Sequence, residues 1–158
     1  VILVADSSAL IALSVCNALQ FLDVLFREIK VPRAVFDEVT VEGKKESIEL
    51  SKYLKDKIES VSMEDYVITD FSIGEGDLEA MALYKRLGAD KLLVDDKRAR
   101  KLAQLNGINI IGSLGILLIA KEKELIGKIK PYVEIIKGSD IYISEELIDS
   151  VLELAGER

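Results

Sequence analysis

The chain has 158 residues, 49% of them apolar and 31% charged, with a formal net charge of −7. That length suits one domain with a real core, and the acidic balance argues against a nucleic-acid binder with a uniformly basic face. There is no histidine and a single cysteine, Cys16, which excludes Ser-His-Asp and Cys-His centres, imidazole metal ligands, multi-cysteine zinc sites and internal disulfides.

The first six residues, Val1-Ile2-Leu3-Val4-Ala5-Asp6, form an unbroken apolar run into an aspartate. Such a run without alternation fits a strand buried on both faces. Asp6 then stands at its carboxyl end, the edge where open parallel sheets bind ligands. Ser7 or Ser8 is expected to cap a short helix over 9–15. Asn17 is expected to cap a second helix over 18–27.

A short strand follows at 29–31, closed by Pro32, which suits the first turn of a helix over 33–40. Residues 44–57 read as a polar amphipathic helix with Ile48, Leu50, Tyr53 and Leu54 as its apolar members. A third strand is expected at 58–61, then a turn or short helix from Ser62 through Asp65. Ser72 and Glu75 have capping-box spacing ahead of a helix over 77–87, and Gly88 ends it.

The fourth strand, 91–94, runs into Asp95-Asp96, and a basic helix over 97–106 stops at Gly107. The fifth strand is expected at 108–111. Helices follow at 113–122 and 129–136, with Pro131 in a first turn. Ser144 caps a last helix over 145–155. Strands alternating with helices predict an α/β domain with a central, mainly parallel five-stranded sheet flanked by helices. Residues 1–137 would form the main domain, and 138–158 a helical tail packed on it or appended to it.

No basic segment precedes the first apolar run, and no apolar run approaches the about 20 residues needed to cross a membrane. A cytoplasmic protein with no membrane association is the expectation. Without imidazole or thiolate clusters, a catalytic centre must be built from carboxylates, hydroxyls, lysine or a hard cation such as Mg²⁺ or Mn²⁺.

The acids supply candidates. Asp6 and the Asp95-Asp96 pair end two strands at the same sheet edge. Two helix starts near that edge add Asp37-Glu38 and Asp77 with Glu79. At about 100° per residue, Asp77 lies close to the apolar direction set by Ala80, Leu83, Tyr84 and Leu87, whereas Glu79 points away, beside Arg86. Glu38 flanks the face defined by Val35, Phe36 and Val39, and Asp37 lies nearly opposite. The geometry selects Asp6, Glu38, Asp77 and one of Asp95 or Asp96. Like charges gathered in this way repel unless a cation sits between them.

The residues Val4-Ala5-Asp6-Ser7-Ser8-Ala9-Leu10-Ile11, Val31-Pro32-Arg33-Ala34-Val35-Phe36-Asp37-Glu38-Val39, Gly74-Glu75-Gly76-Asp77-Leu78-Glu79-Ala80 and Leu92-Leu93-Val94-Asp95-Asp96-Lys97-Arg98-Ala99-Arg100 resemble the PIN domain, more narrowly its VapC-like branch of small prokaryotic proteins. The likeness continues through Ile111-Gly112-Ser113-Leu114 to the terminal helix and so covers essentially the whole chain. It implies a metal-dependent ribonuclease, often the toxin of a toxin–antitoxin pair, and usually a homodimer.

The family's acidic quartet maps onto Asp6, Glu38, Asp77 and Asp96, with Asp6, Asp77 and Asp96 holding Mg²⁺ or Mn²⁺. Ser7 matches a small hydroxyl position near the metal. Glu79 and Asp95 are the competing acids, and Val94 replaces the usual threonine or serine before the fourth acid.

On this reading the substrate is RNA, and Lys97, Arg98, Arg100 and Lys101 are candidate phosphate contacts. The alternative is a non-catalytic module of the same fold. A dehalogenase-like phosphatase would need an aspartate where Ser8 stands, and a dinucleotide-binding domain would need a glycine-rich first turn.

Overall fold

In the computed structural model, residues 1–62 and 73–158 are described. The strand at the front, β1 (Ile2–Ala5), lies at the centre of a five-stranded sheet, which is why its residues need no polar face. Leu3, Val4 and Ala5 are fully buried.

The other strands are β2 (Glu28–Pro32), β3 (Ile58–Glu59), β4 (Lys91–Leu93) and β5 (Ile110–Ile111). Their spatial order is β3-β2-β1-β4-β5, and every pairing is parallel. The outer strands are two residues long, shorter than the expected four. Each pairs on one side only, so fewer residues are drawn into the ladder.

The helices are α1 (Ser7–Val15), α2 (Gln20–Leu25), α3 (Arg33–Val39), α4 (Ser47–Leu54), α5 (Glu75–Leu87), α6 (Lys97–Leu105), α7 (Ser113–Glu122), α8 (Lys130–Lys137) and α9 (Glu145–Leu154). α5 packs on β1, β2 and β4 and against α3, while α1 packs against α3, α4, α7 and α8. Gly88 ends α5 in the left-handed conformation that glycine adopts without strain. Pro131 falls in the first turn of α8. The Ser144 hydroxyl caps α9 by accepting from the Leu147 amide.

Several local expectations are corrected. Asn17 does not cap α2: it sits at φ +57°, a turn conformation that asparagine tolerates, and α2 begins only at Gln20. α4 is shorter than expected, and Ile48 is 71% exposed. Leu50 and Leu54, one turn apart, define the buried stripe, and Ile48 lies about 200° from Leu50. Gly74, not Ser72, is the N-cap residue of α5. Ser72 itself, and the turn expected beyond Ser62, lie outside the described residues.

At the far end of the chain α9 packs against α7. Beyond α9, Glu157 reaches back to α7 and α8. Its carboxylate accepts from Lys121 Nζ at 2.9 Å, from the Ile129 amide at 2.8 Å and from the Lys130 amide at 3.0 Å. Among the described residues no helix is long and apolar enough to cross a membrane.

The parallel sheet brings three strand ends to one edge. β1 runs into Asp6, β2 into α3 and β4 into Val94-Asp95-Asp96. The Asp6 amide continues the ladder by donating to the Leu93 carbonyl at 2.8 Å, which fixes the start of the β1–α1 turn beside the end of β4.

Candidate functional site

Asp6 is the N-cap residue of α1, but its side chain makes no capping hydrogen bond. The residue is only 2% exposed. Burial is the largest influence on its carboxyl, raising the pKa well above the usual value. The neighbouring Asp77 carboxyl raises it further, through hydrogen bonding and charge, and Glu38 adds a smaller push by charge alone. The Ser7 amide opposes them.

The expectation that Ser7 or Ser8 caps the helix is corrected, because α1 begins at Ser7 itself. Both hydroxyl oxygens are buried without a hydrogen-bond partner among the described residues.

Asp77 occupies the first turn of α5, half-buried. Glu38 lies on α3 and is exposed, yet its carboxylate turns toward α5. A Cβ placed on Gly76 would stand 3.0 Å from Glu38 Oε2, 3.4 Å from Val35 Cγ2 and 3.9 Å from Ser7 Oγ. Glycine therefore lets α3, α5 and the start of α1 meet at one point. Asp37 pairs with Arg33 at 3.2 Å.

Glu79 departs from its expected direction. It does not point to solvent beside Arg86, whose guanidinium donates instead to the Ser60 carbonyl. It is half-buried, and its Oε1 accepts from the Ala34 amide at 3.3 Å. The helical phase misled because α5 is covered on two sides, by the sheet and by α3. Burial raises the Glu79 pKa. The Ala34 amide opposes that rise, while Glu75 and Asp37 add to it.

Glu75, one turn before Glu79, was not among the expected site residues. It lines a groove of about 470 Å³ between α3 and α5, together with Arg33, Ala34, Asp37, Glu38, Gly76 and Glu79. Its spacing of four residues from Glu79 was the available signal.

The two acids after β4 have separate tasks. Both oxygens of Asp95 accept from Ser113, and Ser113 too was missed as a partner. Asp96 is exposed and caps α6, its Oδ2 accepting from the Ala99 amide at 3.0 Å. Asp77 and Glu38 are carboxylates that act on Asp6.

Lys97, Arg98 and Lys101 stand exposed along one side of α6, with no ion-pair partner among the described residues. Arg100 is half-buried, and its Nη1 donates to the Val94 carbonyl at 3.0 Å.

The donors at Asp6, Asp77, Glu38 and Ser7 are all hard oxygens, which suit Mg²⁺ or Mn²⁺ in kind. The unpartnered Ser7 hydroxyl beside the buried Asp6 carboxyl fits a polar occupant. In position the fit is partial: among the described residues no group of three or more acidic or cysteine side chains is arranged to hold a metal ion.

A family model described as PIN domain matches residues 2–157. No curated protein and no solved structure matches the chain.

Proposed function

The chain belongs to the PIN domain family, and from that premise we propose that it is a divalent-metal-dependent endoribonuclease that hydrolyses RNA phosphodiester bonds. The observation that carries this reading is the Asp6 carboxyl. It is buried at the carboxyl edge of a parallel sheet, with Asp77 beside it and Glu38 acting on it. A buried carboxyl with a second one beside it keeps a proton or takes up a cation, because two close negative charges are unfavourable.

Mg²⁺ or Mn²⁺, when bound, would supply Lewis-acid stabilisation of the charge that develops on phosphate and would activate water. Asp6 and Asp77 would hold it, with Asp96 offered from the neighbouring strand end. From its place on α3, Glu38 would accept a hydrogen bond from the attacking water. Lys97, Arg98 and Lys101 would track the phosphates of the strand along α6. A chain without histidine needs no imidazole for this chemistry.

The narrower reading is a VapC-like toxin, paired with an antitoxin protein and acting as a homodimer. It is supported by the motif resemblance across the chain. A small open reading frame directly upstream of the gene would support the antitoxin, and sedimentation of the purified protein reads the dimer.

The deciding experiment is cleavage of single-stranded RNA by purified protein with Mg²⁺ or Mn²⁺, with and without chelator. Cleavage that needs the ion and disappears in Asp6→Asn, with the fold intact, supports the nuclease. A wild type that cleaves nothing with either ion favours the non-catalytic module. That second reading draws its weight from the lack, among the described residues, of a ready three-acid group.

A further inference from the structure

We propose that Glu79 is a positioning residue, which caps α3 from the neighbouring helix and thereby sets where α3 presents Glu38 to the site. This inference rests on the nuclease reading above. The N-cap residue of α3 is Pro32, which has no side-chain acceptor, and no side-chain cap is made there from within α3. The first amides of a helix have no partner inside it and need one from elsewhere. Glu79 Oε1 meets that need at the Ala34 amide, 3.3 Å away. Its negative charge also faces the positive end of the helix dipole.

The contact belongs to a matched pair. Ala34 and Glu38 lie one turn apart on the same face of α3, and Gly76 and Glu79 lie one turn apart on the same face of α5. Glu79 meets Ala34, and Gly76 leaves the space that the Glu38 carboxylate approaches to within 3.0 Å of a would-be Cβ. α3 is therefore tied to α5 at Ala34, and one turn further on Glu38 lies close against Gly76. A short rigid helix tied at its first turn has the side chain one turn on aimed by that tie.

The test compares Glu79→Gln with Glu79→Ala in the full chain. Glutamine keeps a carbonyl oxygen for the Ala34 amide and loses the charge, whereas alanine loses both. Glu79→Gln is expected to retain kcat on RNA within about threefold, and Glu79→Ala to lose about tenfold or more in kcat with KM little changed. The Ala34 amide should stay protected from hydrogen exchange in the first variant and lose protection in the second. In a Glu38→Gln background, Glu79→Ala should cause no further loss, because it acts through Glu38.

Equal, severe losses in both variants would overturn the proposal, since the charge itself would then be required, as for a metal ligand. Undiminished Ala34 protection in Glu79→Ala would overturn it independently. If the wild type cleaves no RNA, the nuclease reading fails, and the exchange measurement alone upholds or overturns the cap.

Discussion

Asp95 grips Ser113 with both carboxylate oxygens, Oδ1 accepting from the Ser113 amide and Oδ2 from its hydroxyl, each at 2.7 Å. Ser113 is 1% exposed, so this pairing ties the loop after β4 to the first residue of α7 inside the protein. Gly112 allows the approach: a Cβ there would stand 3.0 Å from Asp95 Oδ1 and 2.9 Å from Arg100 Nη1. The loop that carries Asp96 is thus held from the side of α7 and, through the Val94 carbonyl, from Arg100.

Ser113→Ala removes one of these bonds and leaves Asp95 Oδ2 without its partner. It is expected to lower unfolding free energy by about 1–3 kcal/mol, the range for an unsatisfied buried polar group. Urea melts read this directly. Unchanged stability would mean that solvation of the freed carboxylate balances the missing hydroxyl.

Asp6 gives a pH-dependent prediction. Its pKa is raised in the fold, so the folded state holds the proton more tightly than the unfolded chain. Its stabilising contribution is complete below the ordinary value of 3.8 and is lost as pH rises through the raised folded value. Asp6→Asn avoids that loss. With chelator present, the variant should melt above the wild type at pH 8, and the gap should close as pH falls toward 4. An equal gap at both pH values would show that ionisation of Asp6 is not what destabilises the metal-free fold.

Metal reverses the order. An ion that binds only the folded form adds about 2.7 kcal/mol at a hundredfold excess over its Kd. Adding Mn²⁺ should raise the wild-type melting temperature more than that of Asp6→Asn. Equal gains in both proteins would place the ion away from Asp6.

The α6 cations separate by environment. Replacing Lys97, Arg98 and Lys101 with alanine should flatten the salt dependence of RNA binding. The log–log slope should fall by about 0.7 for each phosphate of a single strand that the protein no longer neutralises. Arg100→Ala should leave the slope nearly unchanged while lowering stability, because its guanidinium is engaged with the Val94 carbonyl. Anisotropy titrations at several salt concentrations distinguish the two. A slope change confined to Arg100→Ala would reverse the assignment.

Glu157 provides a control remote from the acids. Burial pushes its pKa up, but the Ile129 amide, Lys121 and the Lys130 amide outweigh that and hold it below the ordinary value. Its contribution is present above the ordinary glutamate value of 4.5 and is lost as pH falls through the lowered folded value. Glu157→Ala should cost about 1–3 kcal/mol at pH 7, less at acid pH, and should leave kcat on RNA unchanged. A large fall in kcat would tie the tail to the site.

Much of the framework was legible along the chain. Unbroken apolar runs marked β1 and β4, because strands covered on both faces require them, and β2 was marked by Ile29 and Val31 ahead of Pro32. Pro32, Gly88, Pro131 and Ser144 punctuated helices through their own backbone and side-chain chemistry. Asp77 was picked out by helical phase, and it does lie beside Asp6. Lengths at the sheet margins and the start of α2 were not legible, since pairing and packing with distant segments determine them.

The sequence by itself determined that a centre here is built without imidazole or thiolate clusters, and that acids stand at the ends of β1 and β4. Those facts follow from residue types and local periodicity. Only the tertiary structure decided which acids meet. It set Asp77 against Asp6, gave Asp95 to Ser113, gave Asp96 to the start of α6 and turned Glu79 onto the Ala34 amide. Periodicity reports one buried face per element, whereas α5 is covered by both the sheet and α3. A carboxylate's partner lies 18 residues away for Asp95 and 45 residues away for Glu79, a separation that no local pattern encodes.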